Sequence, residues 1–173
     1  MIEAASRPAQ PRDDDPSGPF AEHFRQVWQE RRHALPAANP ALVVEATGFV
    51  RHEGDWLGVV VAPWFFRLVL VSGGGSLWGD IPAGQRRYLD LSDGTLPFVA
   101  VDEPGFGPYQ YFPLVEPVTA LADMAMARQL AAEAMAGLGL PVPPMRTDSV
   151  TAPAPTASGV TRRGFLRRLA VGR

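Results

Sequence analysis

Apolar residues are most concentrated between Trp56 and Leu70, where Arg67 is the only charged residue. A membrane-spanning helix needs roughly 18 consecutive apolar residues, whereas this run is shorter and is interrupted by Pro63. Its valines favour a strand, because branching at Cβ suits a pleated surface. We therefore predict two buried strands, Leu57–Ala62 and Phe65–Val71, joined by a corner at the proline and the tryptophan that follows it.

The residues before this run predict an amphipathic helix and a first strand. Ser17-Gly18-Pro19 is typical of a helix start, since proline is tolerated in the first turn. Apolar residues then recur at helical spacing up to Pro36, which should end the helix; they are Phe20, Phe24, Val27, Trp28 and Leu35. Ala41–His52 predicts a strand that forms a hairpin with Trp56–Ala62.

The second half of the chain predicts three more strands and a second helix. The strands are Gln85–Leu91, Leu96–Val101 and Tyr109–Leu114. The helix, Val118–Ala136, is rich in alanine and methionine, and Gly137 suits its C-terminal cap. The predicted fold class is therefore α+β: a small, mostly antiparallel sheet with an N-terminal and a C-terminal helix packed on one of its faces.

Composition divides the chain into a folded body and polar ends. We expect residues 1–19, rich in proline and aspartate, to be disordered, and residues 139–160, rich in proline, alanine and threonine, to be a flexible linker. The body, residues 20–138, has eight arginines against thirteen carboxylates, a net charge of −5, whereas residues 161–173 have five arginines and no acid, a net charge of +5. An acidic body argues against nucleic-acid binding.

Residues suited to catalysis or metal binding do not form a motif. The chain has no cysteine, and His23, His33 and His52 lack the spacing of a metal site. Ser72–Gly79 contains three consecutive glycines, but a chain without lysine has no phosphate-binding P-loop, and a flexible surface loop is the favoured interpretation. We therefore expect a binding protein rather than an enzyme, with no catalytic residue, no metal and no cofactor.

Two groups of residues have both a structural and a functional interpretation. Glu45 lies among apolar neighbours, where period-two alternation would turn it toward solvent; the alternative is a functional carboxylate. The aromatic run that ends in an arginine fits the middle of a sheet, and the alternative is an aromatic and cationic surface for a partner. Its residues are Trp64, Phe65, Phe66 and Arg67.

Three stretches of sequence, in their order along the chain, point to a known family. They are Asn39–Phe49 (NPALVVEATGF), Trp56–Leu70 (WLGVVVAPWFFRLVL) and Gly105–Tyr109 (GFGPY), together with Pro82-Ala83-Gly84. Across about residues 20–138 the chain resembles the HybE/HupJ family of [NiFe]-hydrogenase assembly chaperones.

The resemblance implies a cytoplasmic, non-enzymatic chaperone for hydrogenase maturation. Members of the family are expected to bind the small-subunit precursor, which carries a twin-arginine export signal, and some to contact the large subunit. They delay export until assembly is complete. For this chain the resemblance implies a partner-binding groove near Glu45, Trp64, Phe65, Phe66 and Arg67.

The last residues carry a second motif. Thr161–Arg167 (TRRGFLR) resembles the twin-arginine export motif S/T-R-R-x-F-L-K; the matching residues are Arg162, Arg163, Phe165, Leu166 and Arg167. The motif lies at the wrong end for a signal and lacks a following apolar segment. We interpret it either as a basic segment with weak affinity for anionic membranes, or as a mimic that occupies the chaperone's own groove until a precursor displaces it.

Two other functions stay open at the level of sequence. One is a small-ligand-binding enzyme whose loops Ser72–Gly79 and Asp102–Pro108 close over a pocket, which perturbed titratable groups under those loops would favour. The other is a membrane-surface adaptor tethered by residues 161–173. The lack of an early basic and apolar segment predicts a cytoplasmic protein without a secretory signal.

Overall fold

A computed structural model describes residues 8–35, 37–92 and 94–142, and within them six strands and two helices form the fold. The strands are β1 (Glu45–His52), β2 (Asp55–Ala62), β3 (Phe65–Val71), β4 (Arg86–Leu91), β5 (Gly94–Glu103) and β6 (Gly107–Val115); the helices are α1 (Ser17–Arg31) and α2 (Met124–Gly137). The strands form one antiparallel sheet in the order β1-β2-β3-β6-β5-β4. The predicted α+β class is confirmed.

The two helices lie on opposite faces of the sheet, which makes the domain a three-layer structure. Phe20 and Phe24 of α1 pack in a cluster with Val60 of β2. Met135 of α2 packs in a second cluster with Val61 of β2, whose side chain points to the other face. The expectation that both helices cover one face is therefore wrong.

The hairpin of β2 and β3 is the centre of the core. All eight residues of β2 and six of the seven residues of β3 are buried. Strands of this kind have no solvent face, because their alternating side chains enter two covered layers. The turn between them lies at Pro63-Trp64, as predicted, and β3 has the predicted bounds.

Strand β1 starts later than predicted and contains a bulge. Its register with β2 shifts between Thr47 and Val50, so that two residues of β1, Gly48 and Phe49, oppose Gly58. Gly48 has φ +69°, a left-handed conformation that glycine adopts without strain. The bulge places the Phe49 ring over Gly58, where a Cβ atom would overlap the ring.

Helix α1 begins at Ser17, as predicted, and buries Phe20 and Phe24 against the sheet. It ends at Arg31, so Leu35 lies beyond it and does not extend its apolar face. Pro36, the expected stop, lies outside the described residues.

Helix α2 is shorter than predicted because an acidic cap fixes its start. A 3₁₀ turn occupies Val118–Ala120, and α2 begins only at Met124. The Asp123 carboxylate accepts a hydrogen bond of 2.8 Å from the backbone N–H of the third residue after it, which satisfies one amide of the first turn. Gly137 lies inside the helix, and the left-handed residue beyond its end is Gly139, at φ +70°.

Residues 8–16 are the described part of the segment predicted to be disordered, and they lie against the sheet. The Arg12 backbone N–H donates to the carbonyl of Ser72 at 2.8 Å, and the indole N–H of Trp56 donates to the carbonyl of Arg12 at 2.9 Å. The Arg51 guanidinium donates to the carbonyls of Arg12 and Asp13. Main-chain contacts thus hold residues 8–16 against the sheet, although their composition offers little to bury.

The glycine-rich loop Ser72–Gly79 is organised around a buried carboxylate. Asp55 has no exposed surface and accepts hydrogen bonds from the backbone N–H groups of Gly73, Gly75 and Trp78 at 2.8, 3.0 and 2.7 Å. Position 75 requires glycine, since a Cβ atom there would overlap the carbonyl oxygen of Glu53. The loop is therefore a fixed part of the domain rather than the flexible loop predicted.

Candidate functional site

The residues predicted to bind a partner divide between the two faces of the sheet. Glu45 of β1 is in register with Val61 of β2, and Val61 is in register with Phe66 of β3. Residues in register point to the same face, so Glu45 and Phe66 share the face covered by α2. Phe65 and Arg67 precede and follow Phe66 in sequence and therefore point to the face covered by α1. The aromatic run does not form a single surface.

Of the three rings in this run, only that of Trp64 reaches the surface. Phe66 is 1% exposed and packs in the core under α2, while Phe65 is 7% exposed and packs under α1. Trp64 is half-buried in the hairpin turn and stacks on Trp28 of α1, with ring centroids 5.7 Å apart and planes inclined by 9°. The stack ties the end of α1 to the β2–β3 turn.

Arg67 is half-buried and is held by aromatic rings. Its guanidinium carbon lies 4.4 Å from the ring centroid of Phe65 and 3.8 Å from that of Tyr111, distances typical of cation–π contacts. Burial raises the pKa of the nearby Tyr109 phenol above its ordinary value, and the charge of Arg67 offsets part of that rise. Arg67 thus contributes to the packing of this face.

An open groove follows the outer edge of β1 between the two helices; we call it the β1 groove. Its volume is about 950 Å³, and it is lined by Glu45–Val50 of β1, by residues of α1 that include Arg25 and Trp28, and by residues of α2 that include Arg128 and Ala131. Successive side chains of a strand point to opposite faces. A cavity that touches six consecutive residues therefore follows the strand edge itself.

Strand β1 is the edge of the sheet better suited to receive another chain. Among the described residues it pairs with β2 alone, so its outer N–H and C=O groups face the β1 groove. The opposite edge strand, β4, carries Arg86, Arg87 and Asp90, and charges of this kind discourage pairing at an edge. The middle of β1, residues 46–50, has no charged side chain.

Apolar side chains form much of the rim of the β1 groove. Val43 is 57% exposed and Val142 is 45% exposed, and both line it. On α2, Ala131 and Ala132 present a wall of small residues that allows another backbone to approach closely. Exposed aliphatic side chains gathered around a cavity are typical of a binding surface.

An ion pair joins β1 to α2 at the β1 groove. The Arg128 guanidinium donates to both carboxylate oxygens of Glu45, with its shortest N–O distance at 2.8 Å. The two side chains are 32% and 28% exposed. Glu45 therefore faces neither solvent alone nor the core. Arg128 is a candidate site residue that the sequence interpretation missed, although it is the only basic residue of α2.

Carboxylates cluster where α1 begins. Asp13, Asp14 and Asp15 are all exposed, and Asp15 also lines the β1 groove. One Asp15 oxygen accepts a hydrogen bond of 2.8 Å from the Ser17 N–H, which fixes its position at the first turn. The groove is therefore acidic where α1 begins, whereas Arg25, further along α1, adds a positive charge to its lining.

The chain leaves the described domain at the β1 groove. Pro141 and Val142 are the last described residues, and both line it. The candidate residues of the C-terminal motif lie outside the described residues; they are Arg162, Arg163, Phe165, Leu166 and Arg167.

The two loops considered for an enzyme pocket have different surroundings. Residues 72–79 line neither the β1 groove nor a second cavity of about 490 Å³, and that second cavity is lined by residues 102–107. In the part of the chain that the structure describes, no cluster of His, Asp or Glu side chains is arranged to hold a metal ion. Over the same residues, no helix has the length and apolar character needed to span a bilayer.

Comparison with known proteins gives matches over most of the chain. Residues 15–168 match the family described as "[NiFe]-hydrogenase assembly, chaperone, HybE". The chain is 31% identical over 148 residues to the hydrogenase expression/formation protein HupJ of Bradyrhizobium diazoefficiens, which covers 86% of this chain and 85% of that protein. It is 32% identical over 157 residues to the hydrogenase expression/formation protein HoxT of Azotobacter vinelandii, covering 87% and 92%.

A relative with a different name matches over a shorter stretch. The chain is 37% identical over 76 residues to the probable rubredoxin HupJ of Rhodobacter capsulatus, and the match spans 44% of this chain but only 27% of that protein. The present sequence has no cysteine and so supplies no thiolates for an iron site.

The fold itself also has a solved counterpart. The solution structure of HybE from Escherichia coli superposes with a TM-score of 0.63 at 22% sequence identity, covering 92% of this chain and 99% of that one. The family match begins at Asp15 and so includes both helices and every strand of the described domain. This chain therefore belongs to the HybE family of [NiFe]-hydrogenase assembly chaperones.

Proposed function

We propose that this chain binds the small-subunit precursor of a [NiFe]-hydrogenase through its twin-arginine signal segment, and that it holds the precursor back from export until assembly is complete. The proposed binding site is the β1 groove. The action is non-enzymatic and takes place in the cytoplasm, where such a precursor is made.

The observation that carries this proposal is the position of an open groove along the edge strand β1. An extended segment that lies beside an edge strand gains main-chain hydrogen bonds, and pockets for alternate side chains then provide selectivity. The outer backbone groups of β1 face the β1 groove, and an apolar rim that includes Val43 lies beside them. This combination suits a peptide with apolar side chains better than a compact small molecule.

The acidic end of the β1 groove suits an arginine pair. Asp15 lines the groove beside the exposed carboxylates of Asp13 and Asp14. Guanidinium groups form strong charge-assisted bonds with carboxylates. A segment whose arginines lie at this end would place the apolar residues that follow them along β1.

The alternative of an enzyme pocket under the glycine-rich loop is not favoured. Three backbone N–H groups of that loop donate to the Asp55 carboxylate. Those N–H groups thus donate to a carboxylate of the protein itself and do not point toward a ligand. Residues 102–107 line a cavity at a hairpin turn, and the residues that line it do not distinguish a catalytic site from an ordinary surface depression.

The test is a pull-down with the full chain as bait. Precursor small subunit, mature small subunit and large subunit are each co-expressed with the wild-type chain, with Val43→Glu in the β1 groove, and with Tyr88→Glu. Tyr88 is the matched control, since it is a large, 67% exposed side chain on the opposite edge strand. We expect wild type and Tyr88→Glu to retain the precursor, and Val43→Glu to lose most of it.

The forms retained decide where recognition lies. Retention of the precursor but not of the mature form would place recognition in the signal segment, as proposed. Equal retention of both forms would move it to the folded small subunit, and retention of the large subunit alone would assign a different client. If Val43→Glu and Tyr88→Glu retain equal amounts of precursor, the β1 groove is not the binding site.

A further inference from the structure

We propose that the β1 groove has a resident occupant in the absence of a client, and that this occupant is the chain's own segment Thr161–Val171. The segment and a client precursor then compete for one site. Binding of the segment to the groove, which we call self-occupancy, is argued from the groove and from the sequence of the segment. Competition with a client rests in addition on the proposed function.

The connection between domain and segment allows this contact. Pro141 and Val142 line the β1 groove and are the last described residues, so the chain sets out from the groove itself. Residues 143–160 separate Val142 from Thr161. A coil of 18 residues has a root-mean-square span of roughly 21–25 Å, and a site within such a span experiences an effective concentration of millimolar order.

The chemistry of the segment matches that of the groove. Its sequence, TRRGFLRRLAV, combines four arginines with the apolar residues Phe165, Leu166 and Leu169. The groove combines an apolar rim with Asp15 and with the neighbouring carboxylates of Asp13 and Asp14. Two arginines also line it, of which Arg128 is paired with Glu45 and Arg25 lies two turns into α1, away from the carboxylates at the helix start. The charges of the whole chain agree, since residues 20–138 carry −5 and residues 161–173 carry +5.

The order of residues in the segment explains why it would occupy the same site as a client, rather than bind elsewhere on the domain through charge alone. Thr161–Arg167 follows the twin-arginine pattern at every position except the last, where Arg167 replaces lysine and keeps the charge. The segment thus offers the groove an arginine pair followed by two large apolar side chains. A precursor signal offers the same features in the same order.

The size of the effect follows from the effective concentration. A segment with an intrinsic dissociation constant of about 100 μM, at an effective concentration of about 1 mM, would occupy the groove about nine-tenths of the time. A competitor would then bind roughly tenfold more weakly to the full chain than to a chain whose segment cannot dock. Such a threshold would exclude weakly binding peptides while admitting a client.

The test uses full-length chains and a labelled peptide of residues 159–173, with fluorescence anisotropy as the readout. The peptide is titrated into wild type and into Phe165→Asp/Leu166→Asp, whose own segment cannot enter an apolar groove. We expect roughly tenfold tighter binding to the double variant, and loss of that binding when Val43→Glu is added. Tyr88→Glu, added instead, should leave it unchanged. Matching thermal denaturation curves confirm that each variant is folded.

A pair of tail variants separates motif recognition from bulk charge. Arg162→Gln/Arg163→Gln and Arg168→Gln/Arg173→Gln each remove two charges from residues 159–173, and only the first pair lies within the motif Thr161–Arg167. If the motif is recognised, the first pair should increase the affinity of the chain for the labelled peptide more than the second pair does. Equal increases with the two pairs would show attraction by charge alone and would overturn the mimicry.

Three further outcomes would overturn self-occupancy itself. They are equal peptide affinity for wild type and for Phe165→Asp/Leu166→Asp, binding that survives Val43→Glu, and binding of the peptide to vesicles of phosphatidylglycerol and phosphatidylcholine (1:3) but not to the protein. A parallel titration with purified precursor separates the two proposals. Precursor binding that requires Val43, without peptide binding, would leave the proposed function standing and remove the resident segment. Peptide binding without precursor binding would do the reverse.

Discussion

Asp55 connects β2 to the glycine-rich loop through a carboxylate with no exposed surface. Three backbone N–H groups of the loop donate to it at 2.7–3.0 Å. Bonds from backbone amides to a carboxylate are stronger than those between neutral groups, so one side chain fixes a loop that would otherwise have many conformations. The arrangement also accounts for two of the loop glycines, because the chain at positions 73 and 75 passes too close to Gly54 for a Cβ atom.

Replacement of Asp55 by asparagine should destabilise the fold by about 2–4 kcal/mol. The asparagine NH₂ group is a donor and would face N–H groups that are themselves donors, leaving buried amides without an acceptor. Urea unfolding at neutral pH measures the change, with Asp102→Asn as the control because Asp102 is exposed. Equal stability of the two variants would mean that the loop does not depend on this carboxylate.

Gly58 should not tolerate a methyl group while Phe49 is present. A Cβ atom at position 58 would overlap the Phe49 ring, and that ring is itself fixed by a stack on Phe20 with centroids 5.5 Å apart. We expect Gly58→Ala to cost about 1–3 kcal/mol in wild type and much less in a Phe49→Ala background. A double-mutant cycle of urea unfolding measures the coupling. Additive effects of the two substitutions would contradict the contact.

The face to which a strand residue points is where sequence reasoning is weakest at this scale. Phe65 and Phe66 are equally apolar, yet they enter opposite cores. The pattern of β3 does not reveal this, because nearly every position is apolar and no polar face marks the solvent side. The same holds for Glu45, whose partner Arg128 lies 83 residues away in sequence. The long-range ion pair follows from packing and not from spacing.

Most secondary-structure elements follow from local signals, and the exceptions have a common cause. Strand β3 has its predicted bounds because Pro63 and the glycines after Ser72 mark its ends. Strand β1 and helix α2 both begin later than predicted, since apolar residues that precede them are buried without belonging to either element. Leu42 and Val44 are 3% and 6% exposed before β1, and Val118 and Leu121 are 5% and 2% exposed before α2. Apolar residues that are buried next to a strand or helix thus make that element look longer in the sequence than it is in the structure.

The start of α2 should depend on its cap. Asp123→Ala removes the acceptor for an N–H group of the first turn, and we expect a loss of about 1 kcal/mol, since a capping carboxylate contributes about this much. Asp123→Ser retains an acceptor and should recover most of the stability. Glu133→Ala, at an exposed position later in the same helix, is the control for a lost charge. Thermal or urea unfolding that ranks alanine and serine equally would exclude the cap as the cause.

The arrangement of the whole molecule is set by strands that are covered on both sides. The continuous apolar run of β2 is typical of a strand between two layers. This run therefore indicates a sheet covered on both faces, in contrast to the one covered face that was predicted. The consequence for the candidate site is direct. Helices on opposite faces leave the edge of β1 between them, whereas two helices on one face would leave no groove with two walls.

A shared central sheet also predicts that the two cores unfold together. Met135→Ala empties part of the core under α2, where Met135 is 1% exposed, and should cost about 2–4 kcal/mol. Trp28, Trp56 and Trp64 pack on the opposite face, whereas Trp78 packs against the core under α2. In a Trp78→Phe background, tryptophan fluorescence therefore reports from the core that was not changed. We expect its urea midpoint and that of far-UV circular dichroism to fall by the same amount.

Met126→Ala is the matched control for this coupling, because Met126 is 40% exposed on the same helix. It should change the free energy of unfolding, as followed by either probe, by less than about 0.5 kcal/mol. A fluorescence midpoint that stays at the wild-type value while the circular dichroism midpoint falls would show that the two faces unfold independently. The β1 groove would then lie between α1 and α2 layers that unfold at different urea concentrations. Coincident transitions would mean that both walls of the groove are held by one cooperative structure.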